Sequence, residues 1–340
     1  MGVSDDLRSS DLADPLRGSA VPDALGAPQP GATPADHAAP AGDRPPGFAG
    51  RLHERIERLD TRVCLGIDPR PRAHPWTDPA AHGHDPARVG RAVAAYAREI
   101  LDATHDLVAC VKPQSAFFEA LGIPGLIALA QVIADARSRG IPVILDAKRG
   151  DIGSTAEAYA AAYLADGVFA ADALTVNPYL GLDTLEPFLA AAAAGGRGVF
   201  VLLKTSNPGS GDLQDVVTAS GERLHEHLAD ALARRHAGMA RDADGYGPIG
   251  AVVGATYPRE LTAARARLPG SILLVPGYGA QGGTAQDVVG AFDARGLGAV
   301  VNASRSLFYP TRGDDVGAAA RTAAAAMRED LNEALARGEG

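Results

Sequence analysis

The chain has 340 residues, of which 46% are hydrophobic and 21% are charged, so it can bury the core of one large domain or two ordinary ones. Its formal net charge of −9 argues against a nucleic-acid partner, because phosphate backbones select basic surfaces. The apolar runs are too short or too interrupted for a membrane span. Cys64 and Cys110 lie in apolar runs, and the N-terminus lacks the pattern of a secretory signal, so the cytoplasm is the expected location.

Residues 1–48 differ in composition from the rest of the chain. They contain eight of the 24 prolines, with Ala, Gly and Asp between them and no apolar period. Such a segment cannot bury enough apolar surface to offset the entropy that it loses on ordering. We therefore predict a disordered tail over residues 1–48 and one folded domain over residues 49–340, with a first helix at about Leu52–Leu59.

Beyond the tail, short apolar runs alternate with Ala-rich helical stretches such as Val89–Ala103, Gly125–Arg137 and Thr155–Leu164. Gly, Pro or Asn bound the runs, as expected of parallel strands buried on both faces. The eight predicted strands are Val63–Ile67, Leu107–Val111, Pro142–Leu145, Ala173–Val176, Val199–Leu203, Ile249–Val253, Ile272–Val275 and Ala299–Val301. This alternation fits a single (β/α)8 TIM barrel better than an open doubly wound sheet.

Two local features refine this prediction. Ser154 and Glu157 have the spacing of a capping box, which predicts the start of the helix that follows the third strand. The longest departure from the alternation spans Gly211–Gly247, after the fifth strand, and holds a predicted helix at about Gly221–Met239. We interpret this departure as an elaborated loop and helix.

Polar residues follow most of the predicted strands, where a TIM barrel carries its active site. In chain order they are Asp68, Lys112, Asp146 with Lys148 and Asp151 just beyond it, Asn177, Lys204 with Ser206, Gln281, and Asn302 with Ser304 and Arg305. Ionisable residues after three successive apolar strands are hard to explain by packing alone. The pattern predicts that these side chains converge on one rim of the barrel.

The densest cluster reads Asp-Ala-Lys-Arg-Gly-Asp and begins at Asp146. In an extended chain Asp146 and Lys148 project to the same side. A lysine held between the carboxylates of Asp146 and Asp151 keeps its proton, which suits a general acid that protonates a carbanion. Lys112 would offset the excess negative charge. The alternative is a surface salt-bridge network, which the position of Asp146 directly after an apolar run disfavours.

The Gly-rich segment after the seventh strand contains G-x-G-x-x-G at Gly277, Gly279 and Gly282. A dinucleotide fingerprint normally opens a βαβ unit and is followed by an acidic residue on the next strand. Here the motif lies near the end of the fold, and the next strand leads to Asn302. Loops after strands seven and eight commonly bind phosphate in TIM barrels, and Arg305 supplies a bidentate cation, so phosphate binding is favoured.

Together these motifs resemble the orotidine 5′-phosphate decarboxylase family, in particular its longer-chain bacterial members. The family motif D-x-K-x-x-D is present at Asp146, Lys148 and Asp151, within the extension DAKRGDIGST. The other matching segments read LGIDPR, KPQ, TVNPY, KTSNPG and PGYGAQG. The resemblance runs from about residue 50 to the C-terminus, and it implies conversion of orotidine 5′-phosphate to UMP without a cofactor or metal.

The resemblance also implies roles for single residues. Lys148 would deliver the proton to C6 of the product, Asp146 would sit against the leaving carboxylate, and Lys112 would bridge ribose and carboxylates. Asp151 and Thr155 would be supplied to the neighbouring subunit, so a homodimer with shared active sites is expected. The remaining substrate-binding residues would be Asp68 at the ribose, Ser206 at the pyrimidine, Gln281 and Arg305 with amides near Gly279 and Ser304 at the phosphate, and Asn177.

Three other functions stay open. A Mg2+-dependent sugar-phosphate decarboxylase of the same barrel type shares the D-x-K-x-x-D core, although Lys112 and the Lys204–Gly209 segment argue against it. A Schiff-base aldolase would use Lys204, and a non-catalytic barrel would bind a phosphorylated ligand without turnover. No metal site is predicted, because His225 and His227 are two residues apart on a predicted helix and face different directions.

Overall fold

The computed structural model describes residues 45–279 and 281–338, so residues 1–44 of the predicted tail lie outside the described residues. The strands are β1 Val63–Ile67, β2 Cys110–Pro113, β3 Ile144–Arg149, β4 Ala173–Val176, β5 Gly198–Lys204, β6 Ile249–Val253, β7 Leu273–Pro276 and β8 Ala299–Ala303. The α-helices are α1 Phe48–Leu59, α2 Pro86–Thr104, α3 Ser115–Glu119, α4 Gly122–Ser138, α5 Gly153–Leu164, α6 Glu186–Gly195, α7 Gly211–Gln214, α8 Leu224–Ala237, α9 Pro258–Arg267, α10 Ala285–Val288, α11 Arg305–Phe308 and α12 Val316–Gly338. Within the described ranges, no helix is long and apolar enough to cross a membrane.

The eight strands form one parallel sheet in the order β2-β1-β8-β7-β6-β5-β4-β3. Two further bridges, Val111–Val143 and Gln114–Asp146, join β2 to β3. The sheet therefore closes on itself with helices between the strands, which confirms the predicted (β/α)8 barrel.

Apolar side chains are buried in two clusters. The larger lies between the strands and the surrounding helices, and the smaller fills the inside of the barrel, where it includes both Cys64 and Cys110. Helix α1 belongs to the inner cluster, because the ring of Phe48 meets the ring of Phe200 edge-on with centroids 5.9 Å apart. Burial of a ring of this size contributes about 1.5–3 kcal/mol. The predicted tail over residues 1–48 included Phe48, but Phe48 is a core residue.

The segment Gly211–Gly247 holds α7 and α8, so its predicted loop and helix are confirmed. The end of the segment returns to α1. The carboxylate of Asp242 accepts hydrogen bonds from the amides of Gly47 at 2.8 Å and Gly50 at 2.7 Å. A carboxylate at a helix N-terminus satisfies free amides and complements the helix dipole. The segment therefore anchors the helix that packs against the inner core.

Five strands, β2, β3, β5, β7 and β8, end beyond the apolar runs that predicted them, and the difference matters most in two of them. β2 includes Lys112, and β3 includes both Asp146 and Lys148, which were predicted to follow the strands. The last residues of a barrel strand continue the backbone ladder while their side chains face the mouth of the barrel, so these residues are polar.

The predicted capping box at Ser154 and Glu157 is wrong. Helix α5 begins at Gly153, and its N-cap residue is Ile152, which makes no side-chain capping bond. The carbonyl of Ile152 accepts the amide of Ala156 at 3.5 Å, so the first helical bond starts two residues before Ser154. Ser154 consequently lies inside the first turn and not at the cap.

His236 of α8 makes the fold sensitive to acid. Its Nδ1 lies 2.9 Å from Ser271 Oγ, whereas its Nε2 is buried without a hydrogen-bond partner among the described residues. Burial, with a smaller contribution from Arg241, lowers the pKa of His236 from 6.5 to about 4. Between these two values the unfolded chain binds the proton and the folded chain does not. Stability that is present above pH 6.5 is therefore lost as the pH falls to about 4, by at most about 3 kcal/mol.

We expect His236→Gln to be less stable than the parent at pH 7.5 but to lose less stability on acidification. Urea unfolding at several pH values between 7.5 and 4.5 measures this difference. His227→Gln is the matched control, because His227 lies exposed on the same helix. An unchanged slope of stability against pH in His236→Gln would contradict this assignment.

Candidate active site

The carboxylate of Asp146 is buried at the end of β3 and accepts hydrogen bonds from four side chains. Lys112 Nζ donates to Oδ2 at 2.8 Å and Gln114 Nε2 donates to the same atom at 3.0 Å. Lys148 Nζ donates to Oδ1 at 2.6 Å and Thr175 Oγ1 donates at 2.9 Å. An ionised carboxylate has about four acceptor positions, so this one is fully satisfied.

The charges of this cluster stabilise one another. Burial alone would raise the pKa of Asp146, but Lys112 and Lys148 outweigh burial and hold this pKa well below its usual range. Burial would likewise lower the pKa of Lys112, but Asp146 and Asp68 outweigh it and raise this pKa above its ordinary value. Asp146 and Lys112 are therefore both charged at neutral pH, before any substrate binds.

Lys148 adopts a backbone conformation that side chains with a Cβ rarely occupy. Its φ is +47°, and its amide donates to Thr175 Oγ1 at 2.9 Å. A left-handed conformation costs a non-glycine residue about 1–2 kcal/mol and persists only where surrounding contacts impose it. The strain therefore lies at the residue that the sequence predicts to donate the proton.

A cavity of about 1170 Å³ opens at the C-terminal ends of the strands. Nine of the twelve predicted site residues line it: Asp68, Lys112, Asp146, Lys148, Asn177, Ser206, Gln281, Ser304 and Arg305. They come from the ends of seven different segments of the chain. The barrel thus brings together the residues that the sequence could place only strand by strand.

The other three predicted site residues do not line this cavity. Asp151 accepts a hydrogen bond from the amide of Ile152 at 2.8 Å, and Thr155 is exposed on α5. The amide of Gly279 donates to the carbonyl of Gly283 at 2.8 Å. Within one chain, the predicted lysine between two carboxylates is therefore replaced by one carboxylate, Asp146, between two lysines.

The contacts of Gln114 and Thr175 with Asp146 were not predicted from the sequence. Gln114 lies two residues beyond Lys112, so both side chains point the same way. Thr175 is the single polar residue in an otherwise apolar strand, β4. Its hydroxyl donates to Asp146 and accepts the amide of Lys148, so it fixes both residues. An isolated hydroxyl in a buried strand was the signal for this role.

The distribution of lysine is a second signal that the sequence analysis did not use. The chain has only three lysines, Lys112, Lys148 and Lys204, and its other 29 basic residues are arginine. All three lysines lie in the C-terminal halves of barrel strands. An ammonium is a compact charge that can release a proton, which a guanidinium does not do at neutral pH, so lysine and arginine are not interchangeable at such positions.

Lys204 does not have the surroundings of a Schiff-base nucleophile. It is 1% exposed, is not among the residues that line the cavity, and donates to Asp215 Oδ2 at 2.7 Å. Schiff-base formation needs a neutral, accessible amine, whereas an adjacent carboxylate favours the charged form. This arrangement disfavours the aldolase alternative.

Comparison with known proteins agrees with this geometry. Residues 61–322 match the model of the orotidine 5′-phosphate decarboxylase / HUMPS family. Orotidine 5′-phosphate decarboxylase of Rhodopirellula baltica is 47% identical over 281 residues, 80% of this chain and 92% of the relative. That of Deinococcus radiodurans is 47% identical over 290 residues, 85% and 98% of the two chains.

Solved structures are similar as well. The crystal structure of a putative orotidine 5′-phosphate decarboxylase from Streptomyces avermitilis has 37% identity and a TM-score of 0.72, and the match covers 88% of this chain and all of the other. The family match over residues 61–322 includes all eight strands, among them those that carry the Asp146 cluster. This chain belongs to the orotidine 5′-phosphate decarboxylase / HUMPS family.

Proposed function

We propose that this protein is a carboxy-lyase that converts orotidine 5′-phosphate to UMP in pyrimidine biosynthesis. The observation that carries the proposal is the Asp146 carboxylate fixed between Lys112 and Lys148 at the cavity. Loss of CO2 from C6 of the pyrimidine leaves an electron pair on that carbon. A fixed cation beside the carbon stabilises this charge without a cofactor, because the cation is already in position and the site does not have to reorganise during the reaction.

In the proposed reaction the bond between C6 and the carboxylate breaks, and CO2 leaves with the bonding electrons remaining on C6. The ammonium of Lys148 then donates a proton to C6 and is reprotonated from solvent. Asp146 orients Lys148 through the 2.6 Å hydrogen bond and places a negative charge where the substrate carboxylate must leave. Lys112 keeps Asp146 ionised, and Thr175 holds the backbone of Lys148.

The substrate-binding residues are assigned by their place around the cavity. Asp68 Oδ1 is buried without a hydrogen-bond partner among the described residues, which supports its assignment to a ribose hydroxyl. We assign Ser206 to the pyrimidine and Gln281 with Arg305 to the phosphate. Ser304 and Asn177 complete the binding surface. Binding of the distant phosphate supplies energy that fixes the pyrimidine against Lys148 and so raises the rate.

A homodimer with shared active sites is part of the proposal. Asp151 and Thr155 lie outside their own chain's cavity, beside Ile152, whose side chain is 62% exposed. Tyr179 and Leu180, which follow the adjacent strand β4, are also exposed. Exposed apolar residues often mark a protein–protein interface. We infer that this surface forms the dimer interface and that Asp151 reaches the partner's cavity through it. We place the enzyme in the cytoplasm, in keeping with its two free cysteines.

Purified, EDTA-treated protein is expected to convert orotidine 5′-phosphate to UMP at the same rate with and without added Mg2+. The loss of substrate absorbance measures this conversion. Activity that disappears with EDTA and returns with Mg2+ would favour the metal-dependent sugar-phosphate alternative. Binding of orotidine 5′-phosphate without turnover would favour a non-catalytic barrel.

A further inference from the structure

Lys204, the lysine that the proposed mechanism does not use, forms the centre of a second polar cluster. Its Nζ donates to Asp215 Oδ2 at 2.7 Å and to Ser210 Oγ at 3.2 Å, and lies 4.6 Å from the centre of the Tyr257 ring. The opposite carboxylate oxygen of Asp215 lies 3.4 Å from His225 Nδ1. The cluster therefore joins the end of β5, the residue after α7 and the start of α8.

This cluster closes a loop that forms one wall of the active-site cavity. The loop spans residues 205–214, and seven of its ten residues line the cavity, including Ser206. Next to the Lys204–Asp215 pair, the amide of Thr205 donates to Gln214 Oε1 at 2.9 Å, and Gln214 Nε2 donates to Thr205 Oγ1 at 2.8 Å. The two ends of the loop are thus tied together, by the Lys204–Asp215 pair outside the cavity and by Thr205 and Gln214 at its wall.

The choice of residues indicates a role beyond stability. Removing the Lys204 ammonium from water is costly, and in some proteins such a pair is retained because it specifies one conformation. Lys204 is the only lysine of the chain outside the Asp146 cluster, against 29 arginines. An ammonium fits between Asp215, Ser210 and the Tyr257 ring as a point charge, whereas the planar guanidinium of arginine is larger.

We propose that Lys204 and Asp215 are positioning residues for the decarboxylation, whose ion pair holds the 205–214 loop in the conformation that presents Ser206 to the pyrimidine. His225 supports this pair from α8, because its Nδ1 also donates to the carbonyl of Gln214 at 2.9 Å. The inference rests on the proposed function, since it assigns a substrate-facing role to the loop. A loop that is already ordered loses less conformational entropy when the substrate binds, so more of the binding energy remains to position the substrate.

The test compares Asp215→Asn, Lys204→Met and the double variant in decarboxylation of orotidine 5′-phosphate. Each single variant is expected to lower kcat/KM by about tenfold or more. The double variant should lose no more than the worse single one, because both changes break the same interaction. Asp212→Asn is the matched control: Asp212 is exposed, lies on α7 three residues before Asp215 and does not line the cavity. It should match the parent.

Competitive inhibition by inorganic phosphate separates positioning from general damage. Gln281 lies on the loop after β7 and Arg305 lies at the start of α11, after β8, so phosphate inhibition should change by no more than about twofold in any of the variants. An equal loss of phosphate inhibition and of turnover would overturn the positioning role, as would additive losses in the double variant. If Lys204→Met does not fold, Asp215→Asn decides the question, because its side chain is already 32% exposed.

The controls also separate this inference from the proposed function. An active parent with an unaffected Asp215→Asn variant overturns the positioning role alone. A parent that binds orotidine 5′-phosphate but does not convert it overturns the proposed function, and the positioning role with it.

Discussion

Lys148→Ala is expected to lower kcat/KM for orotidine 5′-phosphate by about 10³-fold or more, because it removes both the proton donor and the cation beside C6. The fold should survive the change. The Lys148 side chain is 44% exposed, and Asp146 keeps its bonds to Lys112, Gln114 and Thr175. Turnover assays together with thermal unfolding of parent and variant measure the two effects separately.

Lys148→Arg distinguishes the charge from the proton. A guanidinium keeps the positive charge but does not release a proton at neutral pH, so this variant should also be strongly impaired. Recovery of near-parental turnover in Lys148→Arg would show that charge alone is sufficient. Retention of more than about a tenth of parental activity in Lys148→Ala would remove Lys148 from the role of proton donor.

Mixing Lys148→Ala with Asp151→Ala is expected to restore activity that neither variant has alone. In a hybrid dimer, one site receives both substitutions and the other contains intact Lys148 and Asp151. Random exchange in an equal mixture makes half of the dimers hybrids, so about a quarter of the parental activity should return. Activity followed during subunit exchange, with native mass spectrometry of the hybrids, makes the measurement.

A mixture of Lys148→Ala and Asp146→Asn is the matched negative control. Lys148 and Asp146 are hydrogen-bonded within one chain, so every site in such a hybrid lacks one of them. This mixture should remain inactive. If hybrids of the Lys148→Ala and Asp151→Ala chains form without regaining activity, Asp151 does not complete the partner's site.

The strand positions could be predicted from local sequence because both faces of a barrel strand are buried. β1, β4 and β6 coincide residue for residue with apolar runs, at Val63–Ile67, Ala173–Val176 and Ile249–Val253. The prediction stopped short at β3, where the side chains of Asp146 and Lys148 turn to the cavity and interrupt the apolar pattern. An apolar pattern indicates which positions are buried in the core. The pattern therefore ends where the side chains of a strand face the cavity, although the strand itself continues.

The barrel, and the rim at which the predicted site residues lie, could be predicted from local sequence, because the alternation of apolar runs with helical stretches and the D-x-K-x-x-D spacing can be read along the chain. Which side chains are in contact is visible only in the folded chain. Lys112 and Gln114 meet Asp146 from the end of β2, Thr175 meets it from β4, and Lys204 is turned away from the cavity toward Asp215. These contacts depend on how the closed sheet sets the register between neighbouring strands, and no local pattern encodes that register.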